Sequence, residues 1–148
     1  MQSLLLVEDN SRDLDLALSA LEPYLDSCAV ETVPDGVEAL AYLRREGVWE
    51  DRVGDDPALV LMDLKLPRVS GLELLSEIRR TPRIAAVPVV ALTSSRELRD
   101  VRRCYELGIN AFLVKPIGFE ELSELLSVVA TFWLRLNRRP SGIKAVRA

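Results

Sequence analysis

Histidine is missing altogether from this chain of 148 residues. That absence excludes imidazole acid–base chemistry, a histidine-rich zinc site and any phosphohistidine step carried by the chain itself. Cysteine is scarce: Cys28 and Cys104 lie far apart with no CxxC spacing. They read as reduced, half-buried small hydrophobes rather than as a disulfide or redox pair. No apolar run approaches the ~18–20 residues that a membrane span needs. The opening MQSLLLVEDN has no basic flank and soon meets two acids, unlike a secretory signal. These absences predict a cytoplasmic protein without membrane contact. An excess of positive charge is lacking as well; the net charge of −4 argues against nucleic acid as a partner.

What is present is an ordinary globular composition, 49% apolar and 28% charged, at a length that suits one domain. Strand-like apolar runs occur at Ser3–Val7, Ala29–Val33, Leu59–Met62, Val87–Leu92 and Ala111–Val114. The third and fourth are almost wholly apolar, as central strands covered on both faces should be. Between them lie amphipathic stretches with apolar residues at three- and four-residue steps: Ser11–Glu22, Gly36–Arg45, Gly71–Arg80, Glu97–Leu107 and Phe119–Asn137. Asn10 or Ser11 can cap the first and Asp35 the second, while Gly108 suits the end of the fourth. Five strand-then-helix units predict an α/β fold: a doubly wound, five-stranded parallel sheet with five helices and a long C-terminal helix. The acidic segment Glu46–Pro57 is long for a helix-to-strand link. Residues 1–137 read as one domain and residues 138–148 as a flexible basic tail.

In open α/β sheets, ligands sit beyond the carboxyl ends of the strands. Here those ends carry Glu8-Asp9, Asp63, Thr93-Ser94 and Lys115-Pro116. Three carboxylates crowded together resist full ionisation unless a cation joins them. An all-oxygen donor set without histidine or cysteine points to a hard ion, Mg²⁺ in the first place. A carboxylate can also act as a nucleophile toward phosphorus. Phosphoryl transfer asks chiefly for positioning and for charge neutralisation on the phosphoryl oxygens, which an ion, Lys115 and the Thr93 hydroxyl together would supply.

The set Glu8-Asp9, Asp63 followed by Pro67 and Gly71 (D-L-K-L-P-R-V-S-G), Thr93-Ser94 and Lys115-Pro116 resembles the receiver domain of two-component response regulators. The likeness spans about Gln2 to Asn137, with every part in order. It implies a flavodoxin-like receiver fold that accepts a phosphoryl group on Asp63 from a sensor histidine kinase and signals by docking to other proteins. Such a protein catalyses only its own phosphorylation and dephosphorylation and is not otherwise an enzyme. The resemblance further implies Mg²⁺ held by Asp9, Asp63 and the backbone carbonyl of Lys65, with Glu8 acting partly through water. Lys115 would contact the phosphoryl group, Thr93 would close on it, and Phe112 matches the aromatic that moves with the switch. It also implies a cis peptide at Lys115–Pro116. Lys65 departs from the smaller polar residue common two places beyond the phosphoacceptor, which bears on how long the phosphoryl group survives.

The last helix carries more apolar surface than one sheet can cover. Its apolar positions span an arc of roughly 240° at 100° per residue, against the ~100° stripe of a docked helix. Leu122, Leu126, Val129 and Trp133 form an inward stripe, leaving Leu125, Val128 and Phe132 on a second face. That face predicts a homodimer through the last helix and the adjoining side of the domain. The F-W-L ending and short proline-containing tail resemble single-domain response regulators that serve phytochrome-type sensor kinases.

Three rival readings are weaker. A phosphorylation-independent adaptor would have no need of every site residue. A Mg²⁺-dependent phosphohydrolase would need an acid two residues after its nucleophile, where this chain has Lys65. DNA binding through the tail would rest on five scattered cations, Arg135, Arg138, Arg139, Lys144 and Arg147.

Overall fold

The computed structural model describes residues 2–140; the predicted flexible tail lies outside the described residues from position 141 onward. Five short runs rich in Leu and Val form one parallel sheet: β1 (Gln2–Val7), β2 (Cys28–Val33), β3 (Leu59–Met62), β4 (Val89–Thr93) and β5 (Ala111–Val114). Their spatial order is β2-β1-β3-β4-β5. Helices α1 (Ser11–Leu21), α2 (Gly36–Arg44), α3 (Gly71–Arg80), α4 (Leu98–Glu106) and α5 (Phe119–Ala130) return the chain between strands and close the fold. This is the doubly wound α/β architecture that the alternating pattern predicts.

Period-two alternation along the strands divides the core. Leu5, Val7, Val60, Met62, Val89 and Ala91 face α2, α3 and α4. Leu4, Leu6, Leu59, Leu61, Val90 and Leu92 face α1 and α5. The fourth strand starts two residues later than the apolar run suggests, because Pro88 has no N–H to give the ladder. The Val87 N–H instead closes a turn on the Ile84 carbonyl at 3.1 Å.

The last helix departs from a uniform α-helix. After Ala130 it widens into a π-helical turn over Thr131–Leu136, closed by the Asn137 N–H on the Phe132 carbonyl at 2.7 Å. The buried stripe runs through Leu122, Leu126, Val129 and Ala130 to Leu134, while Trp133 is only partly covered. Leu125, assigned above to the outer face, packs partly against its own core. Val128, Phe132 and Leu136 remain outside, at 67%, 45% and 66% exposure.

The long segment before β3 is pinned by charge. Asp56 meets Arg52 and Arg83 at 3.4 Å and Arg45 at 4.0 Å. Arg52 also lies over the Tyr42 ring at 4.2 Å, and Arg139 donates to the Asp56 carbonyl at 3.2 Å.

Two glycines permit approaches that set the carboxyl edge of the sheet. A Cβ on Gly71 would stand 2.6 Å from the Asp63 carbonyl oxygen, so only glycine lets α3 begin this close to the end of β3. A Cβ on Gly36 would stand 2.4 Å from the Val69 carbonyl oxygen, where the loop after β3 rests on the start of α2. That loop turns at Arg68, whose φ of 65° is left-handed, and Arg68 grips Asp35 with Nη2 at 2.7 Å and Nε at 3.1 Å. Asp35 also caps α2 by accepting the Glu38 N–H at 2.9 Å.

Burial pushes the Asp35 carboxyl upward, but the Glu38 N–H and the Arg68 guanidinium outweigh it and hold it below the usual carboxylate range. A depressed folded pKa stabilises the fold above the unfolded value and loses that contribution as pH falls. Arg68→Ala is therefore expected to cost about 0.5–1 kcal/mol at pH 7, the worth of a partly exposed ion pair. The difference from wild type should close as pH drops below about 4, where unfolded aspartate protonates. Urea unfolding of both proteins at pH 7, 5 and 3 measures it.

Candidate functional site

Strand order reverses between β1 and β3, so their carboxyl ends open a crevice rather than a covered edge. Val7 and Met62 are register partners, which sets the next residues, Glu8 and Asp63, side by side. The Asp63 N–H donates to the Val7 carbonyl at 3.1 Å and holds that alignment one residue past the ladder. On the far side, the Lys115 N–H donates to the Thr93 carbonyl at 2.8 Å, extending β5 along β4.

The side chain of Lys115 then reaches the crevice. Its ammonium donates to Glu8 Oε1 at 2.8 Å, to Asp13 Oδ2 at 2.8 Å and to Asp63 Oδ2 at 2.9 Å. An ammonium has three donors, and each meets a different carboxylate. The Lys115 and Asp63 side chains are each 12% exposed and that of Glu8 6%, so water screens this cluster poorly. Burial alone would favour neutral lysine, but the hydrogen bonds it donates to Asp13, Asp63 and Glu8 outweigh burial and raise the Lys115 pKa. Glu8 is also raised, burial being the main cause, although Lys115 and the Asn10 N–H pull the other way. One cation thus serves three carboxylates, and the most buried of them bears the desolvation.

Asn10 organises the acidic side. Its backbone N–H donates to Glu8 Oε2 at 3.2 Å, and its side chain caps α1 by accepting the Asp13 N–H at 2.9 Å. The second oxygen of Asp63 accepts the Lys65 N–H at 3.2 Å. Asp9 stands exposed next to Glu8, and the Lys65 side chain also points into solvent. Glu8, Asn10, Asp13, Asp63 and Lys115 border a cleft of about 370 Å³, whose other walls include Leu16, Phe119 and Leu122.

Of the residues singled out from sequence, Glu8, Asp63 and Lys115 are in direct contact. Thr93 is fully buried, its hydroxyl accepting the Ser95 N–H at 3.3 Å, and Ser95 in turn donates to Asp100. Phe112 is half-buried against the α2–α3–α4 side of the core. The Lys115–Pro116 peptide is not cis; the described residues contain no cis bond. Trans is the lower-energy isomer of an X–Pro bond by about 0.5–1 kcal/mol. From it Lys115 already reaches all three carboxylates, so no geometric demand of the cluster forces the costlier isomer.

Asp13 was not foreseen. Taken alone it reads as an acid in the first turn of a helix, where the dipole favours negative charge. The usable signal was its place three residues past the cap Asn10, on a helix that starts at the crevice.

Among the described residues no three acidic, cysteine or histidine side chains are gathered around an ion-sized point; the carboxylates converge on Lys115 instead. The donor chemistry still fits a hard divalent cation. Glu8, Asp9 and Asp63 are all oxygen donors at one edge, and one lysine leaves their charge uncompensated.

The raised Glu8 pKa has a measurable consequence. A group whose folded pKa exceeds its unfolded value near 4.5 gives its full stability below that pH and loses it as pH rises through the folded value. Glu8→Gln cannot ionise and escapes the loss. In EDTA it is expected to be more stable than wild type at pH 7.5 and equal to it near pH 4 by guanidinium denaturation.

Comparison with known proteins bears on the same edge. The family model described as the response regulator receiver domain matches residues 4–127. The probable methanogenesis regulatory protein FilR2 of Methanothrix harundinacea is 41% identical over 93% of this chain and 86% of its own length. The response regulator Rcp1 of Synechocystis is 34% identical over 94% of this chain and 93% of its length. The Mn²⁺-bound structure of Rcp1 superposes with a TM-score of 0.87, covering 95% of this chain and 100% of that one. The phosphorylated cyanobacterial phytochrome response regulator RcpA superposes at 0.88, with 36% identity over 95% of this chain and 99% of that one.

Proposed function

The chain belongs to the response regulator receiver domain family, and we propose that Asp63 is its phosphoacceptor, served by a Mg²⁺ ion and by Lys115. The contact between the Lys115 ammonium and Asp63 Oδ2 at the β1–β3 crevice carries this reading. A phosphohistidine on a partner kinase is the donor. An Asp63 carboxylate oxygen attacks phosphorus, a P–O bond forms as the P–N bond breaks, and the electron pair leaves with the kinase imidazole. Charge spreads over the three transferring oxygens, which the Lys115 ammonium and the Thr93 hydroxyl would neutralise in part. Glu8, Asp9, Asp63 and the Lys65 carbonyl would hold the ion, which supplies the remaining neutralisation.

The likeness to RcpA, a cyanobacterial phytochrome response regulator, supports a phytochrome-type histidine kinase as the donor. No helix among the described residues is long and apolar enough to cross a membrane, which fits a cytoplasmic location. Residues 1–137 would act as the receiver, with residues 138–148 as a basic tail. Output would pass through protein contacts rather than nucleic acid, in keeping with the acidic net charge.

We also propose a homodimer through α5 and the turn after it. Leu125 lies partly on its own core, so the outer stripe is Val128, Phe132 and Leu136. Covering these side chains from two copies across a two-fold axis repeats each contact twice. Burial at ~25 cal/mol/Å² then works against the loss of translational and rotational freedom.

Incubation with acetyl phosphate and Mg²⁺, followed by intact-mass analysis, should add one phosphoryl group to wild type. Asp63→Asn should show none while keeping its circular dichroism, and labelling of that variant at the wild-type level would sink the assignment. Phosphotransfer from purified phytochrome-type and unrelated kinases tests the donor.

For the dimer, light scattering at micromolar concentration should report twice the monomer mass for wild type. Val128→Glu combined with Phe132→Glu should report the monomer, each charge at a buried interface costing several kcal/mol. A monomeric wild type with and without beryllofluoride would reject the pairing.

A further inference from the structure

All three donors of the Lys115 ammonium are taken, yet its three partners have different prospects. Under the reading above, Asp63 becomes the site of the phosphoryl group and Glu8 belongs to the ion's surroundings. Asp13 is neither modified nor among the residues assigned to the ion. It sits in the first turn of α1, where the Asn10 side chain fixes its backbone N–H at 2.9 Å. The helix beneath it is anchored by Ala17, Ala20 and Leu21, all buried. The carboxylate therefore projects from a rigid base.

A lysine side chain has four rotatable bonds and a compact ammonium, so an unrestrained one spreads over many positions. We propose that Asp13 is the positioning residue of the phosphoryl-transfer site: it keeps hold of the Lys115 ammonium while the other two partners are drawn away. The inference rests on Asp63 being the phosphoacceptor. One N–H of Lys115 stays on Asp13, and the two released from Glu8 and Asp63 turn to the phosphoryl oxygens. The ammonium then meets the transferring group already aimed, and the cost of ordering it is met in the resting protein.

A merely structural Asp13 would act through the α1 dipole alone, and the two roles separate in experiment. In metal-free buffer with EDTA, Lys115 of wild type should react slowly with acetic anhydride, read by peptide mass spectrometry. Asp13→Ala should expose it to acetylation roughly tenfold faster, the factor expected for losing a hydrogen bond to a charged group. With acetyl phosphate and saturating Mg²⁺, the same variant should phosphorylate about tenfold more slowly on that scale. Mg²⁺ affinity by calorimetry should be unchanged. Asp13→Asn keeps an oxygen acceptor without the charge and should restore most of both wild-type rates.

Unchanged Lys115 acetylation in Asp13→Ala, wild-type phosphorylation of it, or Asp13→Asn behaving no better than Asp13→Ala each overturns the proposal. So does a large loss of Mg²⁺ affinity, which would place Asp13 at the ion instead. Failure of the underlying reading looks different: Asp63→Asn would still be phosphorylated, whereas the metal-free acetylation result would stand unaffected.

Discussion

The carboxyl edge of this sheet depends on one ammonium group. Lys115 reaches from the end of β5 to carboxylates that follow β1, follow β3 and open α1, so a single side chain ties together three separate elements of the fold. Without it, two poorly hydrated carboxylates and a third beside them would face each other across a crevice. The fold thus carries a concentrated negative charge at the place where its topology must leave a gap. One ammonium among three carboxylates leaves negative charge at that edge uncompensated.

Much of this was legible because strand ends are legible. A parallel sheet reads as apolar runs, and the residue after each run must fall on the carboxyl edge, so Glu8, Asp63 and Lys115 could be placed together without coordinates. Asp13 could not be placed that way. It lies in the first turn of α1 rather than at a strand end, so no strand periodicity points to it, and helix-dipole chemistry already accounted for an acid there. The isomer of Pro116 was carried over from a family likeness rather than from a physical demand of these residues, and it proved trans. The π turn after Ala130 escaped notice for another reason. A uniform period of 3.6 puts Trp133 on the inward stripe, whereas past the widened turn Leu134 is buried and Trp133 packs only partly against the same core. The apolar run from Val87 overstates β4 by two residues at its start, although Pro88, which lacks the N–H that a ladder requires, marks the true boundary.

The edge is joined to the rest of the domain by short polar links. Thr93 closes β4, and its hydroxyl is bound to the Ser95 N–H. Ser95 reaches Asp100 on α4. On the opposite flank, Arg68 ties the loop that follows Asp63 to the cap of α2. These links join the loops that follow β3 and β4 to the starts of α2 and α4, both on the same face of the sheet.

The division of the core by the sheet has a consequence for how such a chain can change over generations. The buried side chains form two groups, one with α2, α3 and α4 and one with α1 and α5, and the strands stand between them as a wall. Substitutions separated by that wall share few neighbours, and distant sites combine nearly additively. A lineage can therefore rework the α1–α5 side without renegotiating the packing on the other side. The sheet acts as a firewall between two independently adjustable halves, with the Lys115 cluster on the rim that both halves touch.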